Sequence, residues 1–477
     1  MISHWHDRHR PARSPWMIAL LSVAGLLIAT GSAAGQALPN PAGDGARFEA
    51  AAADYRRQGD RLNEAIALAN ASLAWQQAGR WSEAKRAIGA SLAILQTTAE
   101  TPEQQGILAR SLDLQGHIQR ATGAATEAVK TWQAAEAIYA TLDRPPDRLR
   151  LQLDRARALQ DLGLIPRACE TLLTAFELTA PPDAPPCSVP AGAIDRLRDA
   201  PLDDRSPLRA AGLTAIGNLL RSLGRFAEAE TALRAALALA DRVGSNRSIA
   251  AVRLSLFNLD RAVFEQELGE PETLTQRRAK PIAALQTAIG AADRAGVSDL
   301  ALQARLNGLS FLLSSRRDRP LTPEESALVT DLQAWLLREL PQAAGDRVGI
   351  YARLHYARAW LDDRPTASAD LAKDPSTDLA ADSVRGLVQQ AIALAERADD
   401  RRAQAYGLGL LGKMRDRAGA NDAARRLTEQ ALGLASQVQA PEIAYRLWWQ
   451  LGQLEARRGN RPSAIAAYNQ AIDTLRS

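Results

Sequence analysis

The last 35 residues read IAYRLWWQLGQLEARRGNRPSAIAAYNQAIDTLRS (443–477). Gly459 divides this stretch. Glycine adopts the left-handed conformation that ends a helix without a Cβ penalty, so it marks a tight turn. Before it, Trp448 and Leu451 keep helical spacing; after it, Ile465, Tyr468 and Ile472 do the same. Gly452 and Ala464 flank the turn, and Ala471 follows. Small side chains at those places let two helices cross with their backbones close together. The segment therefore reads as a helix, a glycine turn and a second helix.

Working outward, the same rhythm recurs six times. A small residue is followed seven positions later by Gly, five later by Ala and seven later by another small residue. The sets are Ser72, Gly79, Ala84, Ser91; Gly116, Gly123, Ala128, Ala135; and Ala156, Gly163, Ala168, Ala175. Then come Gly217, Gly224, Ala229, Ala236; Gly412, Gly419, Ala424, Ala431; and Gly452, Gly459, Ala464, Ala471. Self-similarity at periods of 20–50 residues is the mark of a stacked repeat array. Composition agrees: hydrophobic residues reach 46% but aromatics only 5%, the difference being helix-favouring Ala and Leu.

These sets resemble the tetratricopeptide repeat, a W–LG–Y helix followed by an A–F–A helix. Trp448, Leu451, Gly452, Gly459, Ala464, Tyr468 and Ala471 fit it best. The resemblance implies an all-α chain, an α-solenoid of helix hairpins wound as a right-handed superhelix, with first helices lining a concave face. The spacing is longer than the usual repeat of about 34 residues. Ala84 to Ala128 spans 44 residues, and Ala424 to Ala464 spans 40. A second resemblance rests on LAWQQAGRWSEAKRAI (73–88), LDLQGHIQRATG (112–123), RARALQDLGLIPRACETLL (155–173) and AIAAYNQAIDTLRS (464–477). These phrases are similar to the helical N-terminal halves of bacterial CHAT-domain proteins, where such repeats precede a caspase-like peptidase domain. No His–Cys dyad of that domain is present to carry over.

The expected organisation follows. Residues 1–37 divide as an export signal: Arg8, Arg10 and Arg13, then the apolar core Met17–Thr30, then small residues with cleavage after Ala34 or Ala37. The core holds 14 residues, short of the ~20 that span a bilayer, so no stable membrane span is expected in the mature chain. The competing reading is an uncleaved anchor. After a linker over 38–46, repeats are expected over 47–180, a Pro-rich loop over 181–206, repeats over 207–361 that degenerate after 244, a linker loop over 362–382, and repeats over 383–477. Within 244–400 the segments 248–268, 281–295, 298–315, 323–340, 346–362 and 383–398 read as helices. They form either worn hairpins of the same array or an irregular helical insert.

The net charge of +4 includes three arginines and one acid of the export segment, leaving the remainder nearer neutral. A clustered basic face for nucleic acid is therefore not expected. Export places the chain in a periplasmic or extracellular space. There Cys169 and Cys187 can pair, pinning the Pro-rich loop to a helix, or remain two thiols. His4, His6 and His9 fall in the export segment, and His117 and His355 read as isolated helix-face residues. YGLGLLGKM (406–414) has the glycines and the lysine of a phosphate loop but the pattern of a first helix. No catalytic residue, cofactor or metal is expected.

Positions −6, −3, +1 and +4 from each first small residue should line the face of first helices. They give Arg110, Asp113, His117 and Arg120, then Arg150 and Arg157, then Asn218 and Arg221. Near the C-terminus they give Tyr406, Lys413 and Asp416, then Arg446, Trp449 and Gln453. Arginine pairs with carboxylates and, like Trp, anchors interfaces, so the row suggests a groove for an acidic or carboxylate-terminated peptide. An ordinary solvated face is the plainer reading. The expected function is a non-catalytic scaffold that binds a protein or peptide. The rivals are the regulatory half of a caspase-like peptidase and a cytoplasmic peptide sensor.

Overall fold

A computed structural model describes residues 41–178, 183–266, 271–316, 320–363 and 375–476. The expected export segment lies outside them. Every described element is helical: α1 (Pro41–Gln58), α2 (Arg61–Gln77), α3 (Trp81–Thr98), α4 (Pro102–Ala121), α5 (Ala125–Thr141), α6 (Pro145–Asp161) and α7 (Ile165–Ala175). After these come α8 (Ala193–Asp199), α9 (Ser206–Ser222), α10 (Phe226–Val243), α11 (Asn246–Gln266), α12 (Pro271–Ala295) and α13 (Ser298–Ser315). The chain continues with α14 (Pro323–Glu339), a 3₁₀ turn (Leu340–Gln342), α15 (Arg347–Asp363), α16 (Pro375–Ala398), α17 (Arg401–Arg417), α18 (Asn421–Gln437), α19 (Pro441–Arg457) and α20 (Arg461–Arg476). No described helix is long and apolar enough to cross a membrane.

The chain divides into two compact units. The first holds 41–118 and 130–148, the second 119–129 and 149–476. In the first, α1 lies on α2 and α2 pairs with α3. In the second, consecutive helices pair as α9–α10, α11–α12, α17–α18 and α19–α20, and α13, α15 and α17 stack on their sequence neighbours.

The physical basis of the rhythm is visible at each turn. Gly79, Gly123, Gly163, Gly224, Gly419 and Gly459 all sit at φ between 68° and 89°, where a Cβ would be strained. The first small residue of a set receives the side chain sixteen positions on. A Cβ added to Gly116 would stand 2.5 Å from the Trp132 indole. The same holds for Gly217 against Leu233 at 2.6 Å and Gly452 against Tyr468 at 2.5 Å. The receiving helix must be bare at that point for the knob to seat. Ala84, Ala128, Ala168, Ala229 and Ala424 are wholly buried at the crossing.

Three boundaries differ from expectation. Residues 41–46, read as linker, form the first turns of α1. Helix α12 begins at Pro271, ten residues before the expected start, and carries Pro281 inside it. Helix α16 begins at Pro375 inside the expected linker loop. Pro281 removes one backbone donor without ending its helix, and Pro375 stands at the first helical position, where that donor has no intrahelical partner. The Pro-rich stretch also contains a short helix, α8. The described helices between 246 and 398 follow as three consecutive pairs, α11–α12, α13–α14 and α15–α16.

Cys169 and Cys187 form a disulfide, with Cα atoms 5.4 Å apart. Both are buried. The bond ties the loop after α7 back onto that helix. Arg225 at the start of α10 donates to the carbonyl of Cys187 at 2.9 Å, and Arg242 donates to that of Arg198 at 2.6 Å. The loop is thus stitched between α7 and α10.

Candidate functional site

The residues expected on the open face fall into three classes. Arg110 and Asp113 are buried. Asp113 accepts a hydrogen bond from the Trp132 indole at 3.0 Å and lies 3.3 Å from His117, so it serves the packing of α5 against α4. The offset rule placed it one step too far outward, because a ring as large as Trp132 needs a polar anchor for its N–H. His117 itself stays half-buried and meets Trp132 edge-on at 5.4 Å.

The second class is exposed or half-buried but already paired within the chain. Arg120 bonds Asp161 at 2.8 Å, joining α4 to α6, and Arg157 bonds Asp154 of its own helix at 2.8 Å. Asn218 donates to Ser255 at 3.0 Å, joining α9 to α11. Lys413 bonds Asp362 at 3.0 Å, joining α17 to α15. Arg457 bonds Asp416 at 2.6 Å, joining α19 to α17. Arg150 and Arg221 are half-buried. Burial and then the nearby Arg261 lower the pKa of Arg221. First helices are therefore cross-linked to one another by polar rungs, and three cations of the row, Arg120, Arg157 and Lys413, face carboxylates of this same chain.

The third class is open. Arg446 is exposed, and its Nε donates to its neighbour's hydroxyl, Tyr445, at 2.8 Å. Trp449 is 52% exposed and leans on Tyr468 with ring centroids 4.9 Å apart. Gln453 is exposed.

Sequence reasoning placed Tyr406 and Lys413 on the row but missed the residues of the preceding first helix that stand against them. His355 on α15 stands between Tyr351 and Tyr406, edge-on to both, at 5.9 and 6.2 Å. His355 is exposed, with the Tyr351 and Tyr406 rings crowding it from two sides. That crowding, and then Arg358, hold its pKa below the ordinary imidazole value. Burial pushes Tyr351 up to about 12. Arg358 lies beside the Tyr406 hydroxyl and the Asp362 carboxylate. Burial would raise Asp362, but Lys413 and Arg358 outweigh it and leave its pKa lowered. The site presents two phenol rings, a neutral imidazole and a guanidinium on one side of adjacent first helices. Such a set can stack on rings and hold a carboxylate or carbonyl; no nucleophile with an activating base is part of it.

The signal that could have found it is the register. His355, Arg358 and Asp362 stand against Tyr406, Gly409 and Lys413 at a constant offset. The first small position is hidden there because Leu361 occupies it, wholly buried.

No family model matches the chain, and no curated protein matches it. Solved structures of helical repeat proteins are similar to it. The apo form of RapI shares 12% identity at a TM-score of 0.43, covering 71% of this chain and 99% of that one. A Signal Transduction ATPase with Numerous Domains, with a tetratricopeptide repeat sensor, from Pyrococcus horikoshii shares 9% at 0.43, over 82% of this chain and 52% of that one. The human IFIT1 dimer with PPP-AAAA shares 12% at 0.41, over 90% and 78%. The likeness concerns fold alone. The tetratricopeptide-like architecture stands on the hairpin geometry above.

Proposed function

We propose that the protein is a non-catalytic scaffold that binds a polypeptide along the first helices of its C-terminal hairpins. The observation that carries this is the aromatic set Tyr351, His355 and Tyr406 with Arg358 beside it, on a row where Arg120, Arg157 and Lys413 are already held by carboxylates. Large amphipathic rings and arginine are what interfaces use as anchors. The partner that fits is an extended segment. It sets an aromatic or apolar side chain on the rings and an acidic group on Arg446, which faces no carboxylate. A uniformly acidic peptide is a poorer match, since Arg120, Arg157 and Lys413 are already held by carboxylates.

Export is part of the proposal, supported by the three-part composition of residues 1–37 and by the Cys169–Cys187 bond, which suits an oxidising space. The likeness of the quoted phrases to CHAT-domain proteins suggests an adaptor that presents its partner to a separate effector.

Photo-crosslinking from a reactive group at position 358, in an envelope extract, tests the reading. A discrete polypeptide should be captured, and the double substitution His355→Ala with Tyr406→Ala should abolish capture. Equal capture by the double variant would remove the site. N-terminal sequencing of the processed protein should begin near residue 35 or 38; an intact Met1 in a soluble cytoplasmic fraction would remove the export.

A further inference from the structure

One cation expected on the row of first helices has no partner inside the chain. Arg120, Arg157 and Lys413 bond carboxylates, and Arg446 bonds a phenol. Arg110 and Arg150 have partners of their own. Arg221 is the exception, forming neither a hydrogen bond nor an ion pair among the described residues. It stands half-buried in the last turn of α9, and its Nε is closed to solvent with no acceptor.

Its strongest charged neighbour is another cation, Arg261 of α11. Burial and Arg261 both weaken the hold of Arg221 on its proton. The carboxylate that acts on it, Glu265, is already bonded to Arg261 at 2.7 Å. The rung from Asn218 to Ser255, about one turn before Arg221, fixes α9 against α11 here at 3.0 Å. A guanidinium kept from water beside a like charge costs free energy until an anion meets it.

The charges choose the anion. Two arginines and one glutamate leave a single positive charge unmet. A monoanion closes that count, whereas a dianion overfills it and meets Glu265. The planar fork of a guanidinium matches the paired oxygens of a carboxylate. We propose that Arg221, with Arg261 beside it, forms a carboxylate-binding site at the ends of α9 and α11, taking the terminal or a side-chain carboxylate of a bound polypeptide. The site lies on other helices than the aromatic set at His355, and neither needs the other.

Ligand-observed NMR titration of the whole chain tests this with four probes. They are N-acetyl-triglycine, its C-terminal amide, N-acetyl-Gly-Asp-Gly amide, and inorganic phosphate in its dianionic form. One or both carboxylates should bind more tightly than the neutral amide and phosphate. Binding of the first probe names a chain terminus as the source, and binding of the aspartyl probe names a side chain. Arg221→Gln should weaken the binding at least ~tenfold. Its thermal midpoint should hold or rise, since the group removed was unpaired. Glu265→Gln should tighten the binding by releasing Arg261. His355→Ala with Tyr406→Ala should leave it unchanged, so that this site and the aromatic set are judged separately. A wild-type chain that binds neither carboxylate, or phosphate more tightly than both, overturns the proposal. So does binding that survives Arg221→Gln, or a midpoint that Arg221→Gln lowers, which would make Arg221 a structural tie. Weaker binding in Glu265→Gln, or loss of binding in the double variant, overturns it as well.

Discussion

The hairpins that bear the repeated rhythm and the three that lack it solve one problem by different means. Where the rhythm is kept, helices close on each other through bare crossings: Gly116 beneath Trp132, Gly217 beneath Leu233, Gly452 beneath Tyr468. Between 246 and 398 a bare crossing is kept at Gly308 beneath Leu285, and arginines taken into the interior add ties between the elements. Arg278 is 1% exposed and donates to the carbonyl of Pro320 at 3.1 Å, with Glu325 at 3.3 Å. Arg305 binds Asp293 at 2.7 Å and stacks over Trp335 at 4.0 Å. Arg353 is wholly buried, and its guanidinium reaches the carbonyls of Gly349 and Ala343 at 2.7 Å and the amide oxygen of Gln390 at 3.2 Å. Interlocking shape specifies the first kind of hairpin. The second adds hydrogen bonds from buried arginines to irregular backbone.

The largest expected effect separates the two kinds. Arg353→Ala leaves a cavity and orphans buried carbonyls, each costing about 1–3 kcal/mol, so the total loss should exceed ~3 kcal/mol. Arg353→Lys should recover only part, since one ammonium cannot reach the 340–349 backbone and Gln390 together. In the other kind, Trp132→Ala should cost about 3–5 kcal/mol. Chemical denaturation of each variant reads both. If Arg353→Lys matched the wild type, the fork geometry of the buried guanidinium would not matter and the contrast would fail.

The same contrast explains what was legible. Small residues at crossings and glycine at turns are local requirements, and they repeat, so the paired-helix fold and six of its turns could be read directly. Buried arginines look like any surface arginine until the loop they tie is in place. Leu361 hides the register of α15, and with it the site at His355, Arg358 and Asp362. Asp113 failed in the other direction, since its periodic position is outward while the Trp132 N–H draws it in. Pro281 and Pro375 look like breaks, yet Pro281 lies inside α12 and Pro375 opens α16, where its missing donor has no intrahelical partner to lose.

The disulfide gives a sharper test within the second unit, because it braces a rhythm-bearing hairpin against an irregular loop. The bond closes a loop with a sequence separation of 18. Removing it as Cys169→Ser with Cys187→Ser should cost about 3 kcal/mol on the chain-entropy estimate. The loss should be read as a lower thermal midpoint in non-reducing buffer. In excess dithiothreitol, wild type and variant should converge.

At His355 the effect is smaller and carries a sign. Its pKa is lowered in the folded chain, by crowding first and Arg358 second. In the unfolded chain it titrates near 6.5. Above that value both states are neutral and the group contributes nothing. As pH falls through 6.5 the unfolded state takes up the proton first, so stability drops until the folded imidazole protonates as well. His355→Gln should flatten that part of the stability profile between pH 7 and 5. A proton titration of His355 by NMR with its midpoint at or above 6.5 would refute the crowding.

The smallest effect concerns the links between hairpins. Turns inside the rhythm-bearing hairpins use glycine throughout, but the turns that follow second helices do not. Gly244 and Gly296 fill that role at two of them, while Asp143, Glu177, Asp399 and Gln439 take positive φ at others. A left-handed residue with a Cβ costs about 1–2 kcal/mol, less for Asp, whose side chain bonds locally. Gln439 has φ 49° and no such relief. Glycine there removes the strain but loosens the unfolded chain, an opposing term of about 0.4–1 kcal/mol. Gln439→Gly should therefore raise stability by no more than ~1 kcal/mol, and Asp399→Gly by less, because aspartate tolerates the turn better. Equal gains at both sites would show that the cost follows the backbone angle alone and owes nothing to the side chain.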